Sequence, residues 1–139
     1  MKLLMIYCDR FAYKPAIKTL DDVEEHHIGK EFFKAQVAYI QVEEGDEAAD
    51  RQKSIEKKLL NFIKWVSRKN NTKNVVLHSF AHLSESKASP EFTKELFDRI
   101  EKRLKNVDFE VNQTPFGYFL DLDVQAPGFS LARVFQDFN

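Results

Sequence analysis

The sequence predicts an α/β fold, a single-domain sandwich in which one mixed β-sheet packs against two main helices. Three observations carry this. Short apolar runs of strand length alternate with two long segments whose apolar residues recur at helical spacing. The run Val75-Val76-Leu77 is apolar throughout, as expected of a strand in the middle of a sheet. No internal repeat, low-complexity tract or linker divides the 139 residues, so residues 1–139 are expected to share one core.

Taken in order, Leu3 to Cys8 reads as a first buried strand. Asp9 to Lys30, with Pro15, Gly29 and the acidic residues Asp21, Asp22, Glu24 and Glu25, reads as a loop or hairpin excursion. Phe32 to Val42 is a second strand, apolar at Val37, Ala38, Tyr39, Ile40 and Val42, and the polar run Glu43 to Glu47 breaks it. Asp50 to about Asn70 is the first helix, with Ile55, Leu59, Phe62, Ile63 and Val66 on one face and Lys53, Lys57, Lys58, Lys64, Arg68 and Lys69 on the other. Val75 to Leu77 follows as a strand expected to be central. Ser89 to Lys105 is the second helix: Ser89 is a good N-cap, Pro90 suits the first turn, Glu91 complements the dipole, and Phe92, Leu96, Ile100 and Leu104 form the buried stripe. Phe109 to Val111 is a fourth strand. Gly117 to Val124 is a fifth, with Tyr118, Leu120, Leu122 and Val124 on one face and Phe119, Asp121 and Asp123 on the other.

Composition narrows the class. Apolar residues make up 43% and charged residues 31%, which suits a folded domain, and the 13 phenylalanines predict an aromatic core or pocket. The formal net charge of −1 gives no general basic excess, so any RNA contact must rest on a local patch or on a tether to another RNA-binding domain. No run approaches the roughly 20 apolar residues of a membrane span, and the opening Met1 to Tyr7 reads as a strand rather than a leader. The lone Cys8 fits a reducing, cytoplasmic setting, and no Cys or His spacing suggests a metal. No cofactor is expected.

Two segments carry the functional signal. His78-Ser79-Phe80-Ala81-His82-Leu83-Ser84 directly follows the buried strand, and ligands gather at the carboxyl ends of strands in α/β sheets. Thr114-Pro115-Phe116-Gly117-Tyr118-Phe119 places Pro and Gly around an aromatic at a strand entrance, where Gly permits positive φ or a close backbone approach. On spacing alone the simpler readings, a strand cap and a tight hairpin turn, are favoured.

Together, in this order, the two segments resemble the N-terminal editing domain of archaeal-type threonyl-tRNA synthetases. Phe80-Ala81-His82-Leu83-Ser84 resembles that family's "FAHLS" stretch and Pro115-Phe116-Gly117-Tyr118-Phe119 its "PFGYY" stretch. Leu4 to Asp9 is similar to its opening "LLIHSD", and Val37 to Glu43 resembles its second strand. The resemblance spans the chain. It implies a D-aminoacyl-tRNA deacylase-like fold, a homodimer, and hydrolysis of the seryl ester on threonine tRNA. A pocket separates threonine from serine by roughly 1–3 kcal/mol, the worth of one methyl, so a second site removes the error.

The resemblance further implies that His82 positions the ribose or the attacking water. Phe80 and Ala81 would hold the amino acid, and Pro115, Phe116, Gly117, Tyr118 and Phe119 would line an adenosine pocket. A neighbouring ribose hydroxyl of the tRNA would help activate the water. The family carries tyrosine and then lysine after "PFGY", where this chain has Phe119 and Leu120. It also carries an acidic residue downstream, where this chain offers Arg133, so Arg133 is a candidate for the missing cation and is grouped with His82 as catalytic.

Elsewhere the plainer readings stand. The basic face of the first helix is solvated, Asp121 and Asp123 face solvent, Cys8 is a buried strand thiol, and His26-His27 is a surface pair with metal binding as the lesser alternative. Three functions follow. The chain is a seryl-tRNA deacylase, attached to a synthetase body or free-standing. Or it is a catalytically impaired homologue binding aminoacyl-tRNA ends, a nucleotide or a synthetase partner, as Leu120, Phe119 and Arg133 suggest. Or it is a D-aminoacyl-tRNA deacylase, on fold likeness alone.

Overall fold

A computed structural model describes residues 1–139. Six strands and two long helices follow one another as β1 (Lys2–Lys18), β2 (Lys30–Gln41), α1 (Gln52–Lys69), β3 (Asn74–Ser79), α2 (Pro90–Lys105), β4 (Glu110–Gln113), β5 (Tyr118–Gln125) and β6 (Arg133–Asp137). The sheet runs in the order β4-β3-β2-β1-β5, with β6 also paired to β1. β1 is antiparallel to β2, β5 and β6, whereas β2–β3 and β3–β4 are parallel, so the sheet is mixed as expected. Each parallel step needs a crossover, and α1 and α2 supply them.

Both helices form where the apolar spacing places them. Ile55, Leu59, Ile63 and Val66 of α1 and Leu96, Ile100 and Leu104 of α2 are buried in one cluster with Leu3, Met5, Ala38, Ile40, Val75 and Leu77 of the sheet. Ser89 caps α2, its Oγ accepting from the Phe92 N–H at 3.2 Å, and Pro90 fills the first turn, where a missing N–H costs nothing. No helix is long and apolar enough to cross a membrane.

Three expectations need correction. Asp9 to Lys18 is not an excursion: β1 runs unbroken through it, because Phe11 and Tyr13 continue an alternating buried face and Pro15 lies past the end of the β2 ladder, beside a register shift against β5. The sixth strand, β6, was not anticipated. Its five residues include Arg133, Gln136 and Asp137, too short and polar a stretch to stand out, and its pairing with Lys2 to Ile6 decides it. Val75 to Leu77 is interior and fully buried, but β3 lies one strand from the edge and not at the centre.

The length of β1 has a structural consequence. Leu3 and Met5 face the helices, whereas Phe11 and Tyr13 face the helix-free side with Cys8, Ala35, Val37, Tyr39 and Val76. Odd-numbered residues therefore change sides between Cys8 and Phe11, and β2 changes with them between Phe32 and Ala35. Lys34, at φ 51°, sits at this slip. A left-handed backbone costs a side-chain-bearing residue roughly 1–2 kcal/mol, most for β-branched ones. Lys34→Val is therefore expected to lower stability by about 1–2 kcal/mol and Lys34→Gly to change it by less than about 0.5 kcal/mol; equal losses in urea unfolding of the two variants would contradict the slip.

Candidate functional site

The carboxyl ends of β2 and β3 open into a cavity of about 370 Å³, within the range of small-ligand sites. Both sequence segments line it. From the first come His78, Ser79, Phe80, Ala81 and His82; from the second, Pro115, Phe116, Gly117, Tyr118 and Phe119, with Leu120 following it. Thr19 and Leu20 of the β1–β2 connection, Gln41, Lys87, Leu122 and the first turn of α2 at Pro90 and Thr93 are also among the walls.

The first segment is a strap held against the end of β2. The Phe80 N–H donates to the Ile40 carbonyl at 3.0 Å and the Ala88 N–H to the Val42 carbonyl at 2.9 Å. Between these points Gln41, almost wholly buried, holds the strap with its side-chain amide. Its Oε1 accepts from the Leu83 and Ser84 N–H groups at 2.6 and 2.7 Å, and its Nε2 donates to the Ser84 and Ser86 carbonyls at 2.7 and 2.9 Å. The Ser84 hydroxyl donates to Glu43 Oε2 at 2.6 Å, and Glu43 Oε1 receives the Met1 ammonium at 2.6 Å. Burial alone would raise the Glu43 carboxyl, but the ammonium and Ser84 outweigh it and hold the group below its ordinary range.

Aromatic rings connect the core to the cavity. Tyr39 meets the edges of His78 and Phe80 at centroid distances of 5.2 and 5.1 Å, and Phe80 meets His82 at 4.9 Å. His78 is buried, with Nδ1 at 2.8 Å from Thr114 Oγ1. Burial, with a smaller contribution from neighbouring His82, lowers its pKa to about 4. At neutral pH it is an uncharged imidazole with one donor and one acceptor, suited to fixing Thr114 and the cavity floor. His82 is exposed at the mouth, where a bound group can reach it.

The second segment owes its shape to Gly117, at φ 81°. A Cβ there would lie 3.0 Å from Val23 Cγ1 and Cγ2, and its carbonyl accepts from the Thr19 N–H at 2.7 Å. The Tyr118 ring lines the cavity while its hydroxyl is turned to the β1–β2 connection, accepting from the His26 N–H at 3.0 Å. Leu120 lies opposite Pro15, half-buried against the Phe11–Tyr39 cluster, and offers the cavity no polar atom.

Arg133 is not in the site. It lies on β6 opposite Ile6, exposed, whereas Leu120 lies opposite Pro15. The cavity wall holds no arginine, so nothing in it supports the expectation that Arg133 supplies the missing cation. The sequence also understated Gln41 and Lys87. Gln41 had a visible signal, an amide inside the otherwise apolar run Val37 to Val42; Lys87 had none.

Other residues lie outside the cavity. Asp121 and Asp123 are exposed, Asp123 paired with Arg10 at 2.7 Å. Cys8 is buried and its thiol pushed up to about 12 by burial, which leaves it a poor nucleophile. His26 and His27 lie 3.6 and 3.8 Å from Glu24 and Glu25, and no three His, Cys, Asp or Glu side chains converge on a point that could hold a metal ion.

One mixed sheet is backed by two helices, and both motifs face one pocket. The chain belongs to the archaea-specific editing domain family of threonyl-tRNA synthetase, which matches residues 1–138. Threonine–tRNA ligases of Pyrococcus furiosus and Methanosphaera stadtmanae are each 30% identical to it over 137 and 136 residues, 96% of this chain and 22% of each relative. That of Nitrosopumilus maritimus is 30% identical over 135 residues, covering 21% of its length. The chain thus spans about a fifth of the curated relatives it matches. A solved structure of a c-Myc DNA unwinding element binding protein has the same fold, with a TM-score of 0.66 over 100% of this chain and 99% of that one, at 12% identity.

The buried state of His78 has a measurable consequence. Its ordinary value is 6.5 and its folded value about 4, so the unfolded chain binds the extra proton first. Its contribution to stability is fully present above pH 6.5 and is lost as the pH falls toward 4. The urea midpoint is expected to decline between about pH 6.5 and about 5, before the carboxylates titrate, and His78→Phe should flatten that interval. A wild-type midpoint constant across it would sink the assignment.

Proposed function

We propose that the cavity receives the aminoacylated terminal adenosine of a mischarged threonine tRNA and hydrolyses its seryl ester. The observation that carries the reading is the convergence of the two family motifs, far apart in sequence, on one aromatic-lined cavity. Phe116, Gly117, Tyr118 and Phe119 would hold the adenine by ring and backbone contacts, with Pro115 shaping the turn, and Phe80 and Ala81 would hold the amino acid. Water adds to the ester carbonyl and the C–O bond to the ribose breaks. The ribose oxygen takes up a proton, giving serine and deacylated tRNA. His82 at the mouth would position the ribose or the water, and a neighbouring ribose hydroxyl would help take the water's proton, so the protein needs no nucleophile of its own.

A second reading, binding of aminoacyl-tRNA ends without turnover, is favoured by Leu120, which brings neither charge nor donor where the family has lysine. Loss of one charge-assisted donor costs on the order of 10²–10³ in rate. The deciding assay mixes the purified domain with seryl-tRNA and threonyl-tRNA and follows ester loss. Selective loss of serine, abolished by His82→Ala, is the expected result, with Arg133→Ala unchanged. No loss in the wild type with recovery in Leu120→Lys would establish the binding reading instead.

The domain is further proposed to act in the cytoplasm, joined to or beside a synthetase body, and as a homodimer. Both helices cover one face of the sheet, while the other leaves Leu122 and Val124, each 39% exposed, on β5 opposite Tyr13 and Phe11. A second copy would cover this apolar surface. Sedimentation should give about twice the 16.3 kDa chain mass, and Val124→Glu should shift it to the monomer; a monomer in the wild type at high concentration removes the dimer.

A further inference from the structure

The cavity's charge is one-sided. None of the residues lining it is an aspartate or a glutamate, and Lys87 is the one lysine or arginine among them. Two lysines of α2 are neutralised, Lys94 by Asp98 at 2.9 Å and Lys105 by Glu101 at 2.8 Å. Lys87 has no such partner. Its backbone is nonetheless fixed, because the Ser86 carbonyl accepts from Gln41 and the Ala88 N–H donates to Val42, so both neighbours are pinned to β2. An exposed ammonium on a rigid strap, at the mouth of an aromatic cavity without acids, favours a ligand that joins an apolar ring to an anion.

Ester chemistry decides which anion. In an aminoacyl ester the amino acid's carboxylate is consumed, its amine is cationic, and adenine and ribose are neutral. The negative charges left are phosphates. We propose that Lys87 forms a phosphate subsite at the mouth of the cavity, holding the 5′-phosphate of the terminal adenosine nucleotide. This rests on the reading of the cavity as the site for the aminoacylated tRNA end. It also orients that end, since Lys87 attracts the phosphate and repels the ammonium of the amino acid. The charge is thus restored at a different place from the one Leu120 vacates, and for binding rather than for the reacting carbonyl.

The experiment is calorimetric titration of the wild type, Lys87→Ala and Lys87→Arg with adenosine and with adenosine 5′-monophosphate, at low and high salt. The wild type is expected to bind the monophosphate about three- to tenfold more tightly than adenosine, an advantage that shrinks with salt. Lys87→Ala should bind adenosine as the wild type does but lose the advantage, and Lys87→Arg should keep it. Unchanged adenosine binding in Lys87→Ala shows the cavity intact, which separates a phosphate contact from a structural role. A wild type that binds both equally, or an advantage that survives in Lys87→Ala, overturns the subsite while leaving the adenosine reading standing. A wild type that binds neither overturns the adenosine reading and the subsite together.

Discussion

The site depends on one buried amide. Gln41 meets four backbone groups of the strap, two N–H and two carbonyls, at 2.6 to 2.9 Å. A primary amide is suited to this because it alone among uncharged side chains presents a carbonyl and two N–H donors in one plane. The strap has no regular structure of its own, so its polar backbone must find partners elsewhere. Gln41 supplies them without a charge. A carboxylate would accept from Leu83 and Ser84 but repel the carbonyls of Ser84 and Ser86; an aliphatic residue would leave all four groups without it. Glu43 extends the same work one step out, joining Ser84 to the Met1 ammonium.

Around this anchor the sheet places the two motifs together. The parallel pairing of β2 with β3 brings Ile40 and Gln41 beside the end of β3, where the strap begins. The parallel pairing of β3 with β4 brings Thr114 to His78, and the chain then turns at Gly117 to return along β1. His78 joins the two: one ring bonds Thr114 of the second motif and packs against Tyr39 of β2 and Phe80 of the first motif. Its burial keeps it neutral, so it holds the floor without adding a charge to a cavity whose single lysine is at the rim.

Much of the fold was legible beforehand, and the reasons differ by element. α1 and α2 show a full apolar stripe and, in α2, a cap and an N-terminal proline, signals that lie within one segment. β3 shows as an unbroken apolar run because both of its faces are covered. The second half of β1 and all of β6 were not legible, because each is held by pairing with residues far away in sequence. The motifs Phe80 to Ser84 and Pro115 to Phe119 were found as a resemblance and do line one cavity. Arg133 lies outside the cavity wall because its place is set by pairing with β1 and not by its distance along the chain from the second motif.

The sequence by itself determined the class of the domain, the two helices and the identity of the two motifs, because periodicity, capping and short motifs are properties of neighbouring residues. Only the tertiary structure decided which polar residues serve the site. Gln41 looks like an interruption of an apolar strand until the strap is seen folded over it, and Lys87 looks like one surface lysine among many until the walls of the cavity prove free of acid. A hydrogen bond or an unneutralised charge is defined by what stands a few ångströms away, and here those neighbours are about 40 residues apart in the chain.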